Sequence, residues 1–170
     1  MSEQFRLAEL KDAERLQAIL HEAYALIREL KLNWPAATAD VAQVQENVEQ
    51  NECYVLEADG RIVATITLSK ADEVKAVTDL PFIKWFAVDP SEQGRGYGDK
   101  LLAWVETAII RDRVGAPAVT LGTAEKHPWL LAMYKRRGYE SIHSFDSGSG
   151  EGPMHLLRKI VNPNVYESMI

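Results

Sequence analysis

The chain has 170 residues, 46% apolar and 26% charged, which fits one ordinary globular domain over 1–170 and excludes a disordered chain. A net charge of −6 disfavours nucleic acid as the main partner, and no apolar run approaches the ~20 residues that a bilayer span needs. The single cysteine, Cys53, rules out an internal disulfide, and with the polar opening Met1-Ser2-Glu3-Gln4 it gives the expectation of a cytoplasmic protein without membrane contact.

Phe5-Arg6-Leu7 alternates as a short first strand. From Asp12 to Leu30, Leu16, Ile19, Leu20, Ala23, Tyr24 and Ile27 recur at helical spacing, and Asn33-Trp34-Pro35 ends that helix. Thr38 is positioned to cap a second helix reaching about Gln50, with Asp40 in its first turn. Two strands follow around Asp59-Gly60, a two-residue hairpin signal. Ser69 to Asp79 reads as a loop. Phe82 to Val88 is nearly all apolar, as expected of a strand buried on both faces. The pattern then predicts a helix from Gly96 or Gly98 to about Arg113, a strand from Ala118 to Leu121, and a helix from Pro128 to Arg137. Two last strands, Tyr139–Phe145 and Met154–Ile160, flank the loop Ser147-Gly148-Ser149-Gly150. The fold class is therefore α/β, one sheet covered by helices, without the regular alternation of a doubly wound fold.

Gly94, Gly96 and Gly98 lie between the most apolar strand and the most amphipathic helix. A helix start leaves N–H groups unpaired and carries the positive end of the helix dipole, so such a junction suits a pyrophosphate. Arg95 and Lys100 add charge nearby. The third glycine comes one residue too early for a dinucleotide fingerprint, and no Gly-Lys-Ser/Thr follows to make a P-loop.

Gln93-x-x-Gly96-x-Gly98 resembles the Gln/Arg-x-x-Gly-x-Gly/Ala segment of the Gcn5-related N-acetyltransferase (GNAT) superfamily. So do the preceding Phe86-Ala87-Val88-Asp89-Pro90, the helix containing Leu101, Leu102, Val105 and Glu106, and the later Met133-Tyr134-Lys135-Arg136-Arg137-Gly138-Tyr139. The resemblance spans essentially the whole chain. It implies a single GNAT-like domain, with a central mixed, mostly antiparallel sheet flanked by helices, that transfers the acetyl group of acetyl-CoA to a primary amine without a metal. It assigns pantetheine and thioester binding to the backbone of Phe86, Ala87 and Val88, with the Val88 amide as oxyanion donor. Pyrophosphate binding falls to the amides of Gln93, Gly94, Arg95, Gly96, Tyr97, Gly98 and Asp99. Tyr134 matches the family's general acid, where a phenol protonates the leaving thiolate.

His127 stands where the family often has a cofactor-contacting asparagine; it either binds the cofactor, as the resemblance implies, or caps a helix, or does neither. The family's strand glutamate is missing, since Lys84-Trp85-Phe86 occupies that stretch. Glu125 and His127, and more weakly Asp72 and Glu73, stand as candidates for the general base. Lys135-Arg136-Arg137 either reaches the CoA phosphates or complements its helix C-terminus. Trp34 either packs on an acceptor or anchors its loop, and Glu22 and Glu29 either attract an amine or are ordinary surface. The resemblance implies a small-molecule or protein amine as acceptor, and a homodimer formed through an edge strand or the tail Asn162–Ile170. A CoA-binding regulatory module without turnover, or transfer of a longer acyl group, are the alternative functions.

Overall fold

The computed structural model describes residues 2–72, 74–146, 148 and 150–164. Glu73, Ser147, Ser149 and residues 165–170, on which part of the base, loop and dimer expectations fall, lie outside the described residues.

The element order is that expected from the sequence except between the first two strands, where four helices stand in place of two. Strand β1 (Glu3–Leu7) leads to helices α1 (Ala13–Ala23), α2 (Ala25–Glu29), α3 (Pro35–Thr38) and α4 (Val41–Gln50). Strands β2 (Glu52–Ala58), β3 (Arg61–Leu68) and β4 (Ile83–Val88) follow. Helix α5 (Tyr97–Trp104) then runs on as wider π-type turns over Val105–Val114. Strand β5 (Ala118–Ala124), helix α6 (Leu130–Arg136) and strands β6 (Glu140–Phe145) and β7 (Met154–Ile160) complete it. Local chemistry sets these boundaries. Asp59 and Gly60 both take positive φ (52° and 81°), the geometry that a two-residue hairpin between right-twisted strands needs. The expected long first helix breaks at Tyr24. Asp40, not Thr38, caps α4: its carboxylate accepts from the Gln43 N–H (2.8 Å) while the Gln43 side chain accepts from the Asp40 N–H (2.9 Å).

The strands form two antiparallel sheets, ordered β1-β2-β3-β4 and β5-β7-β6. They meet at one point, a parallel bridge between Phe82 and Thr120, where both the Thr120 N–H (2.8 Å) and its hydroxyl (2.7 Å) donate to Pro81 O. Beyond that point β4 and β5 make no ladder. The sheets stay together through a shared core in which Ile66, Ile83, Leu101, Leu102, Val105 and Ile110 pack with Val119 and Leu157 of the second sheet. A second core under α1 and α4, with Leu16, Ile19, Leu20, Val44 and Val55, covers the other face of the first sheet. The expectation that β4 is buried on both faces needs correction. Lys84, Trp85, Phe86 and Val88 are only partly buried, because the side facing β5 opens onto a cleft.

Candidate active site

The cleft between β4 and β5 has a volume of about 840 Å³. The phase of the β3–β4 ladder decides what β4 offers to it. The Asp89 N–H donates to Val63 O (2.9 Å), and Ala87 stands opposite Thr65, so these residues address β3. Antiparallel alternation then turns the Val88 N–H away from β3, toward β5. A bulge interrupts the ladder between Thr65 and Thr67, and Trp85 sits in it at φ 54°. A large side chain adopts that region at a cost, and bulges commonly re-aim backbone groups beside functional sites.

The glycine junction forms one end of the cleft. Gly96 is the N-cap of α5 at φ 79°, with no side-chain cap, and the Lys100 N–H is the first to find an intrahelical partner, Gly96 O (3.1 Å). The N–H groups of Tyr97, Gly98 and Asp99 precede it as open donors. The Gln93 N–H is instead turned back to Pro90 O (3.4 Å). A Cβ on Gly94 or Gly96 would meet nothing within 4 Å, whereas one on Gly98 would lie 3.0 Å from Val88 Cγ2 and 3.3 Å from Phe86 Cζ. The third glycine thus lets the helix start press against the very strand whose amide faces the cleft.

Asp89, 2% exposed, fixes the entry to this loop. Its carboxylate accepts from Arg15 (2.5 Å), Arg61 (3.4 Å), and the N–H (2.9 Å) and hydroxyl (2.8 Å) of Ser91. Burial pushes its pKa up, but the Arg15 and Ser91 hydrogen bonds outweigh burial and hold the carboxyl below its ordinary value.

Tyr134, on α6, lines the cleft opposite and is 7% exposed. Its ring meets Tyr139 edge-on (centroids 5.7 Å apart), while the Tyr139 hydroxyl donates to the buried Glu106 (2.7 Å), itself held by Lys159 (2.9 Å). The Tyr134 hydroxyl has no hydrogen-bond partner among the described residues, and burial raises its pKa, so it stays protonated at neutral pH. His127 caps α6: its Nδ1 accepts from the N–H groups of Trp129 (3.4 Å) and Leu130 (3.3 Å). That role fixes the hydrogen on Nε2, and burial lowers the pKa, keeping the ring neutral. Of the three cations Lys135, Arg136 and Arg137, only Arg137 lines the cleft. It is paired with Asp99, and its Nη1 is buried without a partner among the described residues. That orphaned donor, beside the open backbone at Gly94 and Gly96, fits a cosubstrate carrying phosphates.

The far end of the cleft is apolar. Tyr24, Leu26, Ile27, Trp34 and Met154 line it, with Tyr24 and Trp34 edge to face (6.3 Å). The Trp34 loop is held from several sides: Arg28 donates to Ala37 O (2.7 Å), Lys126 to Leu30 O (2.8 Å), and the Asn33 N–H to Glu151 (2.6 Å).

Several predicted residues stand elsewhere. Lys100 donates to both carboxylate oxygens of Glu3 (3.0 and 2.9 Å) and is not part of the cleft wall. Arg95 is exposed, pairs with Glu92 (3.3 Å) and is likewise off the wall. Glu125 bonds His155 (3.1 Å) outside the cleft, and Asp72 is exposed beside Lys75. Sequence reasoning overlooked Tyr24 as more than an apolar helix position, although its hydroxyl donates to Phe86 O (2.9 Å).

Comparison with known proteins agrees with this geometry. Residues 14–139 match the family model described as the Acetyltransferase (GNAT) family. The chain is 44% identical over 161 residues to the S-(2-succino)cysteine N-acetyltransferase of Bacillus subtilis (strain 168), covering 94% of this chain and 98% of that protein. It is 42% identical over 164 residues to the S-alkylcysteine N-acetyltransferase of the same organism, covering 95% and 91%. Among solved structures, the PaiA N-acetyltransferase from Thermoplasma acidophilum in complex with coenzyme A superposes with a TM-score of 0.71 at 16% identity, over 94% of this chain and 99% of that one. YncA, a putative acetyltransferase from Salmonella typhimurium with its cofactor acetyl-CoA, gives 0.72 at 16% identity over 95% of each chain. These two show the fold; the family match and the two relatives show that the chain belongs to the GNAT family and is an acetyl-CoA-dependent N-acetyltransferase.

Proposed function

We propose that this enzyme acetylates the α-amino group of a cysteine carrying an apolar substituent on sulfur. The observation that carries the mechanism is that two groups line one cleft: Val88, whose N–H is turned away from its own sheet, and Tyr134, whose hydroxyl has no hydrogen-bond partner among the described residues. The amides of Gly94 through Asp99 and the Arg137 guanidinium hold the pyrophosphate arm, and the thioester lies along β4. The neutral amine attacks the acetyl carbonyl, a C–N bond forms and the C–S bond breaks. The Val88 amide stabilises the developing oxyanion, an effect worth roughly 3 kcal/mol for one such donor. Tyr134 gives its proton to the thiolate, and the proton lost from the amine leaves through water.

The acceptor's identity draws on the two relatives and on the apolar end of the cleft. The carboxylates that line the cleft, Glu92 and Asp99, are ion-paired at the phosphate end. Of the lysines and arginines that line it among the described residues, Arg137 is committed to Asp99 at that end, which leaves Lys84 to face the two further carboxylates of a succino substituent. Tyr24, Ile27, Trp34 and Met154 suit an alkyl group instead. The test is thiol release from acetyl-CoA with S-methyl-, S-butyl- and S-benzylcysteine, S-(2-succino)cysteine, spermidine and a lysine peptide, with the products identified by mass. S-alkylcysteines are expected to give the highest kcat/KM. Preference for the succino compound would refute the apolar assignment, and turnover of spermidine or the peptide alone would refute the cysteine assignment altogether.

A further inference from the structure

Tyr24 occupies the break between α1 and α2, with φ −97° and ψ 17°. The break presents its ring to the cleft, edge-on to Trp34, and brings its hydroxyl to Phe86 O at 2.9 Å. Phe86 directly follows the bulged Trp85 and stands two residues before Val88, so this contact lies beside the thioester strand. A phenol has one hydrogen to donate, and here it is used on the carbonyl. The oxygen keeps its lone pairs, and among the described residues no donor reaches it. Burial, reinforced by the nearby Tyr134, raises the pKa of Tyr24, so the group is a neutral acceptor and not a base.

We infer that the Tyr24 oxygen accepts a hydrogen bond from the N–H of the incoming amine and so aims the nitrogen lone pair at the carbonyl held by the Val88 amide. This rests on the reading of the cleft as the site of amine acetylation. It gives the two tyrosines opposite duties: Tyr134 donates on the leaving-group side and Tyr24 accepts on the attacking side. It also accounts for the absence of a carboxylate from the acceptor end of the wall among the described residues, because a neutral amine needs orientation there more than it needs a counter-charge.

Tyr24→Phe removes both the amine contact and the tie to Phe86, so three quantities separate them. Acetyl transfer to the best amine is expected to fall roughly tenfold, the effect of one neutral hydrogen bond. The Kd for acetyl-CoA and the slow hydrolysis of acetyl-CoA by water, neither of which involves an amine, are expected to stay within about twofold. A joint fall of transfer and hydrolysis, or an unchanged transfer rate, overturns the proposal. If the variant melts early, 2,3-difluorotyrosine at position 24 retains the tie and strengthens its donor while weakening its acceptor oxygen. Transfer should then slow about threefold with hydrolysis intact, and an unchanged or faster transfer overturns the proposal. If no amine is acetylated even by the unmodified enzyme, the reading of the cleft itself fails, a result distinct from any of these.

Discussion

Replacing Gly98 with alanine tests whether the third glycine serves the protein or the reaction. In a helix interior, alanine is better than glycine by about 1 kcal/mol. Against that, the new Cβ would sit 3.0 Å from Val88 Cγ2 and 3.3 Å from Phe86 Cζ, so these two side chains of β4 must give by a few tenths of an ångström and press on the strand that carries them. Such overpacking costs about 1–3 kcal/mol, and the net destabilisation is between about 0 and 2 kcal/mol. For a domain of this size that lowers Tm by roughly 0–8 °C. Catalysis has no such compensation, because the strand that moves carries the Val88 amide. A 1 Å error in position can cost about a hundredfold, so a few tenths of an ångström should cost about three- to tenfold in kcat. Circular-dichroism melting and thiol release measure the two effects. A variant with raised Tm and undiminished kcat would refute the argument, since it would mean that Val88 and Phe86 give way without disturbing the site.

Tyr134→Phe should lower kcat about a hundredfold while leaving the acetyl-CoA Kd within about twofold by calorimetry, as expected of a proton donor to the leaving group. Arg137→Met should weaken CoA binding about tenfold and flatten its dependence on salt, the loss expected of one charge-assisted contact. Asp89 has its carboxyl held low in the folded state, so its stabilisation is present above the ordinary carboxylate pKa of about 4 and is lost as pH falls through the lower folded value. Denaturant melts from pH 7 down to pH 3 should show this decline. Asp89→Asn should destabilise the protein by about 3 kcal/mol at pH 7 and remove that part of the slope.

The glycine wall of the cleft was legible in the sequence because it depends on local rules. Glycine spacing, an apolar strand and a helix start lie within 17 residues, from Phe82 to Gly98, and the structure puts them on one wall. The rest depends on direction, which a sequence pattern states weakly. An apolar run shows that β4 is covered but not by what, and one side proved to be a cleft. Lys100 and Arg137 are both cations near a helix end. Helical rotation carries the first to Glu3, and only the distant α6 brings the second to Asp99. Thr38 and Asp40 are both good caps, and the reciprocal bond with Gln43 decides between them. Tyr24 fitted the apolar stripe of its helix so well that nothing marked its hydroxyl. The bulge at Trp85 leaves no sign in composition at all.

The single bridge at Phe82 and Thr120 has a consequence for the molecule's solubility. A strand edge with unpaired amides normally invites a neighbouring chain and is guarded by charge, proline or early termination. Strand β4 has just one charged residue, Lys84, along such an edge. The edge faces β5 across a wedge pinned shut at one end by the Phe82–Thr120 bridge, so β5 stands in the way of a neighbouring strand. The opening that leaves this edge unpaired is thus the same one that exposes its amides to a ligand in the cleft.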